Sequence, residues 1–183
     1  MATVEALLTA EEFGNRPDPG YPEELVRGRV ITMPPPKPRH GKICGQAYYL
    51  LRLHADQHDL GQLLSNDSGV ITERDPDTVR GADVAFYSYK RLPKGPIPPG
   101  YLAVAPDLIV EVRSPDDRWQ HLLKRVNEYL AVGVTCVIVL DPEPRTAHVF
   151  HADRAPRQLG PEDELTIPDV LGDFQFTVAR FFE

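Results

Sequence analysis

Long hydrophobic runs are scarce in this chain. The longest apolar stretch, Val134 to Leu140, is far too short to cross a bilayer, which takes about 20 apolar residues of helix. The opening MATVEALLTAEEF has no basic segment leading into an apolar run, so no secretory signal is expected. Cysteine is nearly absent. Cys44 and Cys136 stand alone in apolar surroundings, too few for a disulfide scaffold and without metal-ligand spacing to each other. These absences point to a cytoplasmic protein with no membrane association. Excess positive charge is also missing: 20 Lys and Arg face 27 Asp and Glu, a net charge of −7. A nucleic-acid contact would therefore need a local basic rim or a bound cation, because phosphate neutralisation supplies most non-specific affinity.

What is present is ordinary for a soluble globular chain, with 42% hydrophobic and 26% charged residues, which excludes wholesale disorder. The 183 residues suit one domain, 1–183, with no internal repeat or domain-scale linker. Thr9 and Glu12 have capping-box spacing, predicting a short helix from Ala10 to Asn15 that Pro17, Pro19 and Pro22 prevent from continuing. Glu24 to Met33 reads as a strand pair turning at Arg27-Gly28, and Pro34 to Pro38 as a stiff connector. Ile43, Ala47, Leu50, Leu51 and His54 recur at helical spacing within His40 to His58. Strands are expected at Gly61 to Thr72 and Ala82 to Tyr87, then a long loop from Lys90 to Gly100 that is a candidate for shaping substrate access. A strand from Asp107 to Arg113 precedes an amphipathic helix, Asp117 to Val132, with Gly133 as its stop. Val134 to Leu140 pairs with Ala147 to His151, and the tail from Gln158 reads as a polar loop, a short strand and a closing turn. The order implies a mixed sheet flanked by helices, an α/β arrangement.

Chemistry concentrates in one strand. Side chains alternate faces along it, so Asp107, Ile109, Glu111 and Arg113 share one side and Leu108, Val110 and Val112 the other. Charge in so apolar a strand is costly unless it is paired or coordinates a cation. Asp83 opens the preceding strand, and if the two strands pair it approaches Glu111 closely enough to hold one hard divalent ion. Mg²⁺ (or Mn²⁺) suits such a pair, because it needs few carboxylates and takes phosphate as a further ligand. The competing reading is a structural carboxylate–arginine pair in which Glu111 or Asp107 neutralises Arg113.

Four segments carry a resemblance: Gly81-Ala82-Asp83-Val84-Ala85-Phe86; Ala105 to Pro115 around Asp107-Leu108-Ile109-Val110-Glu111-Val112-Arg113; Tyr129 to Val134; and Leu140-Asp141-Pro142. Together they resemble the Uma-type restriction endonuclease family of the PD-(D/E)XK nuclease superfamily, and Glu24 to Gly28 and His40 fit its pattern. The likeness spans roughly residues 20 to 180 and implies a restriction-endonuclease-like mixed β-sheet flanked by helices. It further implies Asp83 and Glu111 as metal carboxylates, the Val112 carbonyl as a further ligand, and Glu24, His40 and Asp107 as supporting residues. Where the superfamily has lysine two residues after the acid, this chain has Arg113. The lysine that relatives carry four residues before the tyrosine is Arg125 here, with Lys124 beside it. Arginine does not deprotonate, so Arg113, Arg125 or Lys124 would clamp phosphate while water activation falls to the metal.

The expected function is divalent-metal-dependent endonucleolytic hydrolysis of phosphodiester bonds in DNA, by a chain that forms a homodimer when both strands are cut. The alternative is a catalytically inactive nuclease-fold binding or scaffolding protein, favoured by net acidity and the missing lysine. Elsewhere, His54 and His58 have the i, i+4 spacing of some zinc sites but no third ligand in the sequence nearby, so they read as helix-surface residues. Trp119 and Tyr129 read as packing, and Asp116 and Asp117 as helix caps.

Overall fold

A computed structural model describes residues 6–183; the first five, part of the stretch read against a secretory signal, lie outside the described residues. The chain opens with α1 (Ala10–Gly14), capped by the reciprocal Thr9–Glu12 box that the sequence predicts. The hairpin β1 (Glu23–Val26) and β2 (Arg29–Thr32) turns at Arg27 and Gly28, both at positive φ. Pro38, expected at the end of a connector, instead occupies the first turn of α2 (Pro38–Gln57), where its missing N–H costs nothing.

The long hairpin β3 (Gly61–Glu73) and β4 (Thr78–Ser88) follows, then β5 (Leu108–Val112), α3 (Trp119–Ala131), β6 (Cys136–Asp141) and β7 (Thr146–Phe150). The predicted stop of α3 is a Schellman arrangement: Gly133 (φ 93°) donates to the Leu130 carbonyl and Val134 to that of Tyr129. The main sheet runs β2-β1-β4-β5-β6-β7-β8, with β8 at Arg157–Leu159 and β3 lying along β4. Only β5 and β6 are parallel among these strand pairs, as a crossover through α3 requires.

Both faces of the sheet are covered. Leu108, Val110 and Val112 join α2 in one core, while Ile109 joins Leu122, Val126 and Tyr129 of α3 in another. The tail has the expected short strand and closing turn, but more regular structure before them than the expected polar loop. It forms β9 (Glu164–Thr166), α4 (Pro168–Leu171), β10 (Gln175–Thr177) and a 3₁₀ turn (Val178–Phe182). Its Leu165, Ile167, Leu171, Phe174, Val178 and Phe181 are all buried against α2 and the sheet. No helix among the described residues is long and apolar enough to cross a membrane.

β1 and β5 sit on the same edge of β4 but at opposite ends, meeting it at Leu25↔Val79 and from Val84↔Val110 onward. Between them, Arg80 to Asp83 has no strand on that edge, and the sheet forks.

Candidate active site

The fork leaves β4 backbone groups without ladder partners, and buried groups of that kind must be satisfied otherwise. Side chains do it. The Gly81 N–H donates to Glu24 Oε1 at 3.1 Å, and its carbonyl accepts from Arg125 Nη2 at 2.6 Å. The Val112 N–H, beyond the last β4–β5 pair, donates to Asp83 Oδ2 at 2.6 Å. Continuing that antiparallel register by one residue sets Asp83 opposite Glu111, as the sequence requires if the strands pair.

Glu111 is 4% exposed and held from α3. Tyr129 donates its hydroxyl to Oε1 at 2.8 Å, and Arg125 Nη2 lies 3.2 and 3.1 Å from the two carboxylate oxygens. Burial pushes the Glu111 carboxyl up to about 7, with the Arg125 charge opposing and Asp83 adding to the rise. Burial and the Glu111 charge keep the Tyr129 hydroxyl protonated, its pKa raised well above the ordinary tyrosine value. Burial works to lower the pKa of Arg125, but the charges of Glu111 and Glu24 outweigh it and the net shift is upward, so it remains a fixed cation.

His40, in the first turn of α2, reaches in from the other layer. Its Nε2 lies 3.3 Å from Asp83 Oδ2 and its Nδ1 is 3.3 Å from Cys44 Sγ. Burial lowers the imidazole pKa, but the bond to Asp83 and that carboxylate's charge outweigh it, so the net shift is upward. Burial and the Asp83 charge raise the Cys44 thiol far above its ordinary range, which makes it unreactive.

The cleft in front of these groups has a volume of about 220 Å³, and Glu24, Asp67, Asp83 and Glu111 face it together with Lys37, His40 and Arg125. That is room for a hydrated ion, since a water's share of liquid volume is about 30 Å³. Asp67 was not singled out by the sequence. A bulge in β3 between Ser65 and Ser68, with Asn66 and Asp67 both at positive φ, swings it into the cleft. Gly81 permits the approach, because a Cβ there would fall 3.0 Å from that of Asp67. The polar run Ser65-Asn66-Asp67-Ser68 inside an otherwise alternating strand was the available signal. Burial and the Asp83 charge raise the Asp67 pKa. Carboxylates thus outnumber cations around the cleft. A donor set of Asp83, Glu111 and the Val112 carbonyl, which shares its direction with the N–H that meets Asp83, fits a hard oxygen-seeking cation.

Other residues implied by the family resemblance stand elsewhere. Arg113 turns away from the cleft acids: Nη1 lies 2.9 Å from Asp141 Oδ2 and the guanidinium covers Trp119. Lys124 is on the exposed side of α3, 3.8 Å from Glu128. Glu24 is engaged by Arg80 at 2.8 Å and Arg125 at 2.9 Å. Asp107 sits at the opposite end of β5 from Glu111, and there pairs with Arg91 Nε at 2.9 Å and accepts from the Ser88 N–H at 2.7 Å. It is a strut, because strand residues four apart are separated by about 13 Å. Asp107→Ala is expected to lower the unfolding free energy by about 2–3 kcal/mol in urea denaturation, through lost charge-assisted hydrogen bonds, with divalent-ion affinity unchanged. The Lys90–Gly100 loop is likewise remote from the cleft, pinned by Lys94 on Asp59 and Pro93 on Gln62.

The sequence profile of a family named Uma2, described as "Putative restriction endonuclease", matches residues 10–179. No curated protein matches the chain. Among solved structures, a DUF820 protein from Anabaena variabilis, described as "a putative nuclease", is similar with a TM-score of 0.82 at 20% identity, covering 96% of this chain and 97% of that one. At this identity the likeness is one of fold: a mixed sheet flanked by helices.

Proposed function

This chain belongs to the Uma2 family of restriction-endonuclease-like proteins, and from that premise we propose that it is a divalent-cation-dependent endonuclease acting on DNA. The whole chain is taken as one domain of the PD-(D/E)XK type. The observation that carries the proposal is the convergence of Asp83 and Glu111, from two strands, at the mouth of the sheet fork.

Mg²⁺ or Mn²⁺ would be held by Asp83, Glu111 and the Val112 carbonyl. Such an ion, when bound, neutralises charge on the phosphate and makes its coordinated water more acidic. The remaining steps belong to the protein. Lys37, at the cleft mouth and paired with exposed Asp116 at 2.7 Å, can exchange that partner for a phosphate oxygen. Arg125 fixes the orientation of Glu111 and closes the inner wall. His40 steadies Asp83, whose Oδ2 also accepts from the Val112 N–H, a positioning role. Two such clefts in a homodimer would cut both strands of a duplex.

The test is a Mn²⁺ titration by calorimetry, run beside cleavage of single- and double-stranded DNA and RNA. One ion per chain is expected, with binding lost in Asp83→Asn and affinity about tenfold lower in His40→Gln. Absent binding, or binding indifferent to Asp83, removes the proposal. A second reading, a catalytically silent nucleic-acid-binding member of the fold, is favoured by the contact of Arg125 with both Glu111 oxygens. DNA binding without cleavage in any divalent ion would select it.

A further inference from the structure

At the far end of α2 from His40, two histidines and a carboxylate come together. His54 is in the last turn of the helix and His58 is its capping residue. Their rings lie against each other, tilted by 30°, with centroids 4.4 Å apart. Asp173 is delivered by the turn after α4, where Gly172 takes φ 61°. Its Oδ1 lies 3.7 Å from His54 Nε2 and 3.9 Å from His58 Nε2. The sequence offered no third ligand because Asp173 is 115 residues from His58 along the chain, a separation obtained as 173 − 58. The fold supplies it.

We infer that His54, His58 and Asp173 form a zinc site that staples the C-terminal segment to α2. A tetrahedral Zn²⁺ with bonds of about 2.0–2.2 Å places its ligand atoms about 3.3 Å apart. The three ligand atoms already lie within 4.8 Å of one another, so closing the site takes small side-chain rotations. The Leu171 carbonyl, 2.8 Å from His54 Nε2, stands beside the fourth position and accepts the imidazole N–H until metal replaces that proton. Phe174 packs its edge on His54 at 5.3 Å and restrains the ring. An ion pair alone explains the arrangement poorly. Two protonated imidazoles at this spacing repel each other, whereas one cation takes a lone pair from each neutral ring and cancels charge on the carboxylate. Imidazole ligands select Zn²⁺ over Mg²⁺. Fourteen helical residues, or about 21 Å, separate this cluster from His40, so it is distinct from the cleft.

The partner residues that a staple would secure are in the core: Leu171 and Phe174 flank Asp173 and are both buried. Zn²⁺ bound to the native chain alone therefore raises the thermal midpoint. The test is Zn²⁺ binding to the whole chain, by calorimetry and thermal unfolding, in His58→Gln and Asp173→Asn. Both residues are exposed, at 44% and 80% of their side chains, so the variants should fold. A Cys44→Ser/Asp83→Asn variant disables the separate His40, Cys44 and Asp83 cluster and serves as the control. Expected in the control background are one Zn²⁺ per chain and a midpoint raised by several degrees, with more than about tenfold loss of affinity when either staple substitution is added. No Zn²⁺ binding, binding indifferent to His58 and Asp173, or binding lost only in the control each overturns the inference.

Discussion

Glu111→Gln is expected to cut Mg²⁺-dependent DNA cleavage by about a hundredfold to a thousandfold, the usual cost of removing one electrostatic element from a catalytic site. The substitution keeps the shape of the side chain and an oxygen for the Tyr129 hydroxyl, which is 2.8 Å from Oε1. It removes one charge from a cleft where Asp83 already raises the Glu111 pKa. The measurement is kcat/KM on a duplex substrate, together with circular dichroism and a urea midpoint to show that the fold survives. Asp83→Asn should behave alike, since an amide oxygen can still accept the Val112 N–H. Relief of like charge predicts that neither variant loses much stability, the pattern of sites that trade stability for function. Cleavage at wild-type rates in both variants would place the chemistry elsewhere.

Arg125→Met is expected to cost about 3–5 kcal/mol of stability, the magnitude seen when one partner of a buried ion pair is deleted. The guanidinium serves Glu24, Glu111 and the Gly81 carbonyl at once. Without it, two carboxylates of 5% and 4% exposure lose a counter-charge. Glu24 retains Arg80, so Glu111 bears most of the penalty. Urea unfolding measures the loss directly. Adding Glu111→Gln to Arg125→Met should restore part of it, because the uncompensated charge is then gone. An Arg125→Met chain as stable as wild type would mean that the bridge is structurally idle. Arg125→Lys gives an intermediate case: one charge remains, but an ammonium cannot span three acceptors in one plane.

The fold was readable because its signals were local. Thr9 and Glu12 capped α1, Arg27-Gly28 turned the first hairpin, and Gly133 ended α3. The run Leu108 to Val112 was apolar enough to mark a central strand, and α3 is the crossover that its parallel partner needs. The juxtaposition of Asp83 and Glu111 followed from pairing two adjacent strands. What could not be read depends on contacts remote in sequence. Asp67 enters the cleft through a bulge rather than through alternation, and Lys37 through its place as the N-cap of α2. Tyr129 fits a packing stripe, and only its hydroxyl contact separates it from an ordinary core aromatic. Arg113 goes to Asp141 because the parallel neighbour β6 ends beside it, a pairing that spans 28 residues. The tail defeats periodicity altogether, since its buried residues come from segments of three to five residues, too short to show a period.

The missing rung of the sheet has a mechanical consequence. Where strands pair, the backbone dictates their spacing at about 4.8 Å. Along Arg80 to Asp83 no such ruler exists, and β1 and β5 stand apart like jaws spanned by Glu24, Arg125 and Glu111. Both jaws are rooted on β4, and the Arg125 side chain ties one to the other across the gap. Exchanging that side chain for a shorter or longer one would re-gauge what the mouth admits while leaving every strand in register.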